Sequence, residues 1–139
     1  MTHPFVPINR VQQARRDANR VRAQWLAALH EGLVTPIDLF RHAATLQGRP
    51  LLALTLRQVL THTKRHSPRA TTHVLRRILH GEDPAGVPAR GPTVGWLLDT
   101  RARGRRLARW VSLQPGTSRQ PWAGFPFAAP RDARGEVTR

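Results

Sequence analysis

Residues 55–80, TLRQVLTHTKRHSPRATTHVLRRILH, predict two short helices joined by a basic turn. Thr55 suits the N-cap position, because a threonine hydroxyl accepts a hydrogen bond from a free amide of the first helical turn. The helix that it opens, of about ten residues, places Leu56, Val59 and Leu60 on one face. We expect these three side chains to be buried.

The second helix of the pair begins after the turn at residues 64–69. Ser67 can cap it, and Pro68 suits the first helical position, where a missing N–H costs nothing. The helix is expected to extend to about His80. Its predicted apolar stripe consists of Val74, Leu75, Ile78 and Leu79. Because arginines occupy its other sides, the two helices form a candidate nucleic-acid-binding hairpin.

The N-terminal part of the chain predicts a long amphipathic helix over about residues 9–31, ending at Gly32. Its apolar positions recur three and four residues apart at Val11, Ala14, Ala18, Val21, Trp25 and Ala28. Its outer face carries Arg10, Arg15, Arg16, Arg20 and Arg22. These arginines either solubilise an exposed face or contact DNA, and the sequence leaves both readings open. Residues 1–8 are expected to be a flexible lead.

Another helix start lies between the long helix and the hairpin. Thr35 can act as N-cap, Pro36 takes the first helical position, and Asp38 lies near the positive end of the helix dipole. This helix is expected to continue to about Leu46, with Leu39, Phe40 and Ala43 facing the core.

The C-terminal part of the sequence changes character twice. A loop rich in Pro and Gly covers residues 82–92, and a last helix is predicted over about residues 96–112, with Gly104 as a weak point. Residues 33–114 should form one compact helical domain. A Pro-rich tail, residues 115–139, is expected to be disordered. Trp25, Trp110 and Trp96 are assigned to the core, and Trp122, Phe125 and Phe127 of the tail could dock onto a partner.

Charge is the dominant feature of the composition. The 139 residues include 23 Lys and Arg against 8 Asp and Glu, a formal net charge of +15. A polyanionic partner follows, because arginines that replace condensed counterions on a phosphate backbone relieve this self-repulsion. No long apolar stretch and no signal-peptide segment is present, so we expect a cytoplasmic protein without membrane contact.

The residues that support most catalysis are scarce. The chain has no Cys and no Tyr, and its acids are dispersed. We therefore expect no enzymatic activity and no cofactor. His66, His73 and His80 are seven residues apart, which on a helix separates neighbours by about 10 Å and prevents them from sharing one metal ion.

The order of these segments resembles the actinobacterial integration host factor family over about residues 18–110. The resemblance rests on ANRVRA at residues 18–23, LHEGLVTPIDL at 29–39, GR at 48–49, and TLRQVL with ATTHVLRRI within 55–78. It implies an all-helical, nucleoid-associated protein with a helix-two-turns-helix motif. Such a protein binds and bends duplex DNA without strong sequence preference, and supports nucleoid compaction or site-specific recombination.

One part of the hairpin departs from this family. Its members commonly carry a Gly-x-Gly-Lys turn, whereas this chain has RHSP at residues 65–68. Ser67 and Pro68 offer instead a capped helix N-terminus, which can also bind an anion. The family's arginine-rich stretch after the hairpin corresponds either to Arg90 or to residues 101–106.

The candidate DNA contacts are basic residues of the hairpin, its turn and the segments around it, together with one serine. They are Arg49, Lys64, Arg65, Ser67, Arg69, Arg76, Arg77, Arg90, Arg101, Arg103, Arg105 and Arg106. The basic helices contain almost no amide side chains of the kind that read adenine, which favours phosphate clamping over base readout.

The expected function is architectural binding of double-stranded DNA in the nucleoid, with a recombinase or other DNA-processing protein as a partner of the tail. Two alternatives stay open at this stage. One is an RNA- or ribosome-associated basic protein, although aromatic platforms for single strands are missing. The other is a sequence-preferring regulator encoded on a mobile element.

Overall fold

The computed structural model describes residues 7–63 and 66–114, and over these residues the fold is all-α, as predicted. The α-helices are α1 (Ile8–Glu31), α2 (Pro36–Ala43), α3 (Leu56–His62), α4 (Pro68–Leu79), α5 (Val94–Leu97) and α6 (Arg105–Ser112). Short 3-10 helices cover Arg49–Ala53, Pro84–Gly86 and Thr100–Ala102. The described part contains no strand, only an isolated bridge between Thr55 and Thr93. The predicted tail, residues 115–139, lies outside the described residues.

Helices α2, α3 and α4 start where the sequence predicts, since each start depends on residues three positions apart. The Thr35 amide donates to the Asp38 carboxylate at 2.9 Å, and the Asp38 amide donates to the Thr35 hydroxyl at 3.2 Å. The backbone and side-chain hydrogen bonds from Thr35 lower the pKa of Asp38. Thr55 and Gln58 form the same reciprocal pair at the start of α3. These capping boxes satisfy amides that have no partner within their own helix.

One hydrophobic core joins the helices. Its fully enclosed side chains include Leu39, Leu51, Leu54, Leu56, Val59, Leu60, Ile78, Val94, Leu97 and Trp110. Trp110 meets Phe40 edge to face, with 5.0 Å between the ring centroids. Trp96 is also buried, and Trp25 is half-buried and stacked on His42 at 4.9 Å. The assignment of these three tryptophans to the core is thereby confirmed.

Helix α1 belongs to this core only along its second half. Residues 8–17 are all exposed, so about 15 Å of helix extends beyond the packed body. From Ala18 onward the helix packs against α3 and the 3-10 helix at Arg49–Ala53. There Arg22 donates to the carbonyl of Pro50 at 3.0 Å.

The prediction of one last helix over residues 96–112 is wrong. The chain instead forms α5, a 3-10 helix and α6. The first interruption follows Leu97, where Asp99 has a non-helical ψ of 124°, and the second lies at Arg103 and Gly104, which both adopt positive φ, 52° and 76°. Two successive left-handed residues cannot continue a right-handed helix. Gly104, the predicted weak point, lies at the second interruption, whereas the sequence gives no prediction of the first one, at residues 98–99.

The other differences concern helix ends. Helix α2 ends at Ala43 and not near Leu46, and α3 has seven residues instead of about ten. The loop at residues 82–92 contains a 3-10 turn. Among the described helices, none combines the length and the apolar character that a membrane crossing requires.

Candidate nucleic-acid interface

Helix α4 presents one buried face and one basic face. Ser67 caps it by accepting a hydrogen bond from the Ala70 amide at 3.1 Å. The buried face packs against α3 and α6. It consists of Thr71, Val74, Leu75 and Ile78. The predicted stripe is therefore correct for three of its four residues, and Leu79 is half-buried.

The outward face of α4 carries unpaired arginines. Arg69, Arg76 and Arg77 are exposed, and no acidic side chain in the described part of the chain pairs with them. Pro68, Arg69, Thr72, His73 and Arg76 line one shallow surface depression. These guanidinium groups are thus free to meet phosphate oxygens, for which their planar donors are well suited.

The arginines of α6 differ from those of α4, because all three of them converge on one carboxylate. The Glu82 side chain is only 3% exposed. Arg105 lies 2.8 Å from it, Arg106 2.8 Å and Arg109 3.5 Å. Burial opposes ionisation of Glu82, but hydrogen bonds from Arg106 and Arg105 outweigh it and lower its pKa. The cluster ties α6 to the loop that follows α4.

Two of these arginines have further partners inside the protein. The Arg106 guanidinium lies 4.2 Å from the centroid of the Trp96 ring and donates to the Trp96 carbonyl at 2.7 Å. Arg109 donates to the carbonyls of Ile78 and His80 at the C-terminal end of α4, at 2.8 and 2.9 Å. Arg106 and Arg109 thus stabilise the packing of α6, and only Arg105 of the three is mainly exposed.

Of the predicted DNA contacts just before α6, one is already paired with an acidic side chain. Arg101 forms an ion pair with Asp99 at 2.8 Å. Its side-chain and backbone hydrogen bonds lower the pKa of Asp99 to about 2. Arg103 is exposed at the left-handed turn. This segment is therefore less basic toward solvent than its sequence indicates.

The remaining predicted site residues are dispersed. Arg49 is exposed and lines a separate groove together with Leu46, Leu52 and Asp99. Arg90 is exposed in the loop after α4. Lys64 and Arg65 lie outside the described residues. The predicted set thus contains a group on α4, a group bound to acids near α6, and isolated members.

Histidine 66, at the end of the turn, is poorly suited to a charged role. Both of its ring nitrogens are buried and have no hydrogen-bond partner among the described residues. Burial lowers the pKa of His66 accordingly, which favours the neutral ring. In the described part of the chain, no group of three or more His, Asp or Glu side chains is arranged to hold a metal ion.

Glu82 and Arg109 are not among the site residues predicted from the sequence. Glu82 was part of a Pro/Gly-rich loop, and no local pattern links it to arginines 23 to 27 positions later. The spacing of Arg105 and Arg109 does place both on one side of a helix. Two arginines on one side of a helix can share a single carboxylate. This spacing is the signal from which the ion-pair cluster could have been predicted.

Comparison of the chain with models of protein families, with curated proteins and with solved structures yields no match. The function is therefore inferred from the residues of this chain.

Proposed function

We propose that this protein is an architectural binder of double-stranded DNA that contacts the phosphate backbone chiefly through the outward face of α4. The observation that carries this proposal is the exposed group Arg69, Arg76 and Arg77, which has no acidic partner in the described part of the chain. The cations nearest to α6 are, by contrast, partly neutralised by Glu82.

A rigid helix supports backbone binding better than a disordered basic segment does. The fixed α4 face offers several guanidinium groups in one arrangement, so less conformational entropy is lost on binding. Arginines that contact phosphates position a protein on DNA without reading its sequence. Similar affinity for unrelated duplexes is the expected consequence.

The proposal includes the role in the nucleoid that the resemblance implies. In that role the hairpin of α3 and α4 acts as a helix-two-turns-helix motif, and the protein bends duplex DNA during compaction or recombination. The free half of α1, which is its exposed part at residues 8–17, adds Arg10, Arg15 and Arg16 to the basic surface. Catalysis is not part of this function, and a protein partner is assigned to residues 115–139.

The test of this class of function compares nucleic acids at one fixed salt concentration. Two duplexes of unrelated sequence, a single strand and a double-stranded RNA of equal length are titrated with the full chain. We expect the two duplexes to bind within about tenfold of each other and more tightly than the single strand. Preference for RNA, or a preference of more than about a thousandfold for one duplex, would contradict the proposal.

A further inference from the structure

A basic groove lies at the C-terminal end of α4. The shallow depression described above lies at the N-terminal end of the same helix. The groove runs between the C-terminal end of α4 and the end of α6, and it is lined by Arg77, His80, Arg109, Ser112 and Leu113. Arg109 and His80 were not among the residues predicted from the sequence. The groove therefore extends the basic surface of α4 onto a second element.

The guanidinium group of Arg109 is fixed before any ligand arrives. Its Nη1 donates to the carbonyls of Ile78 and His80 at 2.8 and 2.9 Å, and lies 3.5 Å from Glu82. The side chain is still 29% exposed, so part of it faces the groove. An arginine held in this way loses little conformational entropy when it binds an anion. Such preorganisation is typical of binding sites.

The charge of the groove is positive despite the nearby acid. Glu82 is a single carboxylate shared by Arg105, Arg106 and Arg109. Arg77 lines the same groove and has no acidic partner in the described part of the chain. One carboxylate cannot neutralise this set, and the surplus favours an anionic ligand.

We propose that this groove binds a phosphate group of the DNA backbone. The proposal rests on the duplex-binding function above and adds a second phosphate site to it. Along α4, Arg69 and Leu79, the residue before His80, are separated by about 15 Å, which exceeds the major-groove width of about 12 Å. Helix α4 can therefore lie across a groove of the duplex, with the backbones of the two strands at its two ends.

The first part of the test uses inorganic phosphate alone. NMR of the ¹⁵N-labelled full chain follows the Arg109 Nε–H signal during a phosphate titration at constant ionic strength, with chloride as the matched salt. We expect a saturable shift that chloride does not produce. The double variant Arg77→Ala with His80→Ala removes two exposed groove side chains and should weaken this response severalfold, whereas the control Arg41→Ala on α2 with His30→Ala on α1, two exposed residues away from the groove, should not. A linear, salt-like response in the wild type would overturn the proposal.

The second part separates failure of the groove from failure of the function. Duplex affinity is measured for the wild type and for the Arg77→Ala, His80→Ala variant between 50 and 200 mM salt. We expect the variant to bind about tenfold more weakly, with a salt slope lower by about one. A variant that binds as the wild type does would overturn the groove while leaving the DNA function intact. A saturable phosphate shift in a protein that binds no duplex would support the groove and contradict the function.

Discussion

The carboxylate of Glu82 decides where the arginines of α6 lie. It is almost fully covered, and its hydrogen bonds to Arg105 and Arg106 fix two guanidinium groups that would otherwise extend into solvent. Arg109 joins the same cluster and also caps the end of α4. A residue outside the basic surface thus determines which cations of that surface are available to DNA.

Replacing Glu82 by glutamine should lower the free energy of unfolding by about 1–2 kcal/mol, because the variant keeps the shape but leaves three arginines without a counter-charge. Chemical denaturation at pH 7 measures this loss. Glu31→Gln on α1 is the matched control, since Glu31 is exposed and forms no ion pair with the residues that the structure describes, and it should change stability by less than about 0.5 kcal/mol. An equal effect of both variants would show that the Glu82 cluster contributes nothing specific.

The same comparison has a defined pH dependence. The pKa of Glu82 is lower in the folded protein than its ordinary value, so its contribution is complete above that ordinary value and is lost as the pH falls through the folded value. The stability difference between the wild type and Glu82→Gln should therefore be largest at neutral pH and shrink below about pH 4. A difference that stays constant down to pH 2 would contradict this assignment.

At the scale of elements, the connection between α2 and the following 3-10 helix depends on Gly48. The Gly48 amide donates to the Thr45 hydroxyl at 3.2 Å, and the chain passes so close to α2 that a Cβ on Gly48 would overlap the backbone carbonyl of His42. This overlap involves main-chain atoms, which cannot rotate away. The close approach places Leu51 and Leu54 in the core.

Gly48→Ala should therefore destabilise the protein by roughly 2 kcal/mol or more, because the backbone of α2 or of the connection must shift. Gly86→Ala is the control. Its Cβ would meet nothing within 4 Å, and Gly86 does not adopt positive φ. The control should lose no stability. Thermal unfolding of the two variants decides the point, and equal melting temperatures would contradict the packing described here.

The elements also show how far local sequence signals reach. The starts of α2, α3 and α4 could be predicted because Thr35, Thr55 and Ser67 act on amides three residues away. The partners of α6 could not, because Arg109 and Ile78 are 31 residues apart and meet only after the chain has folded. The basic residues near Glu82 are consequently predicted to bind DNA on the basis of their charge alone.

At the scale of the whole molecule, α6 is the last helix of the part of the chain that the structure describes. Trp110 is fully enclosed and is the last buried side chain in the described part of the chain. The excess of cations is distributed unevenly over this body. Within residues 7–63 and 66–114, the outward face of α4 and the free half of α1 lack neutralising partners such as Glu82, apart from Asp17 beside Arg20. The molecule therefore offers two basic regions on separate helices.

Deletion of residues 115–139 should leave unfolding cooperative and the melting temperature nearly unchanged, since the buried side chains from Leu29 to Trp110 already pack into one cluster. Circular dichroism during thermal unfolding of the deletion variant and of the full chain tests this prediction. Loss of cooperativity would show that Trp122, Phe125 or Phe127 belongs to the core.

The most direct test of the central claim is the salt dependence of duplex binding in three proteins: the wild type, Arg69→Ala with Arg76→Ala on α4, and Arg15→Ala with Arg16→Ala on α1. If about six to ten phosphates are contacted, wild-type affinity should fall by roughly 10³ to 10⁵ between 50 and 200 mM salt. The α4 pair should bind more weakly, with a slope lower by about two, and the α1 pair should change less. A flat salt response of the wild type, or a dominant effect of the α1 pair with a silent α4 pair, would contradict the account.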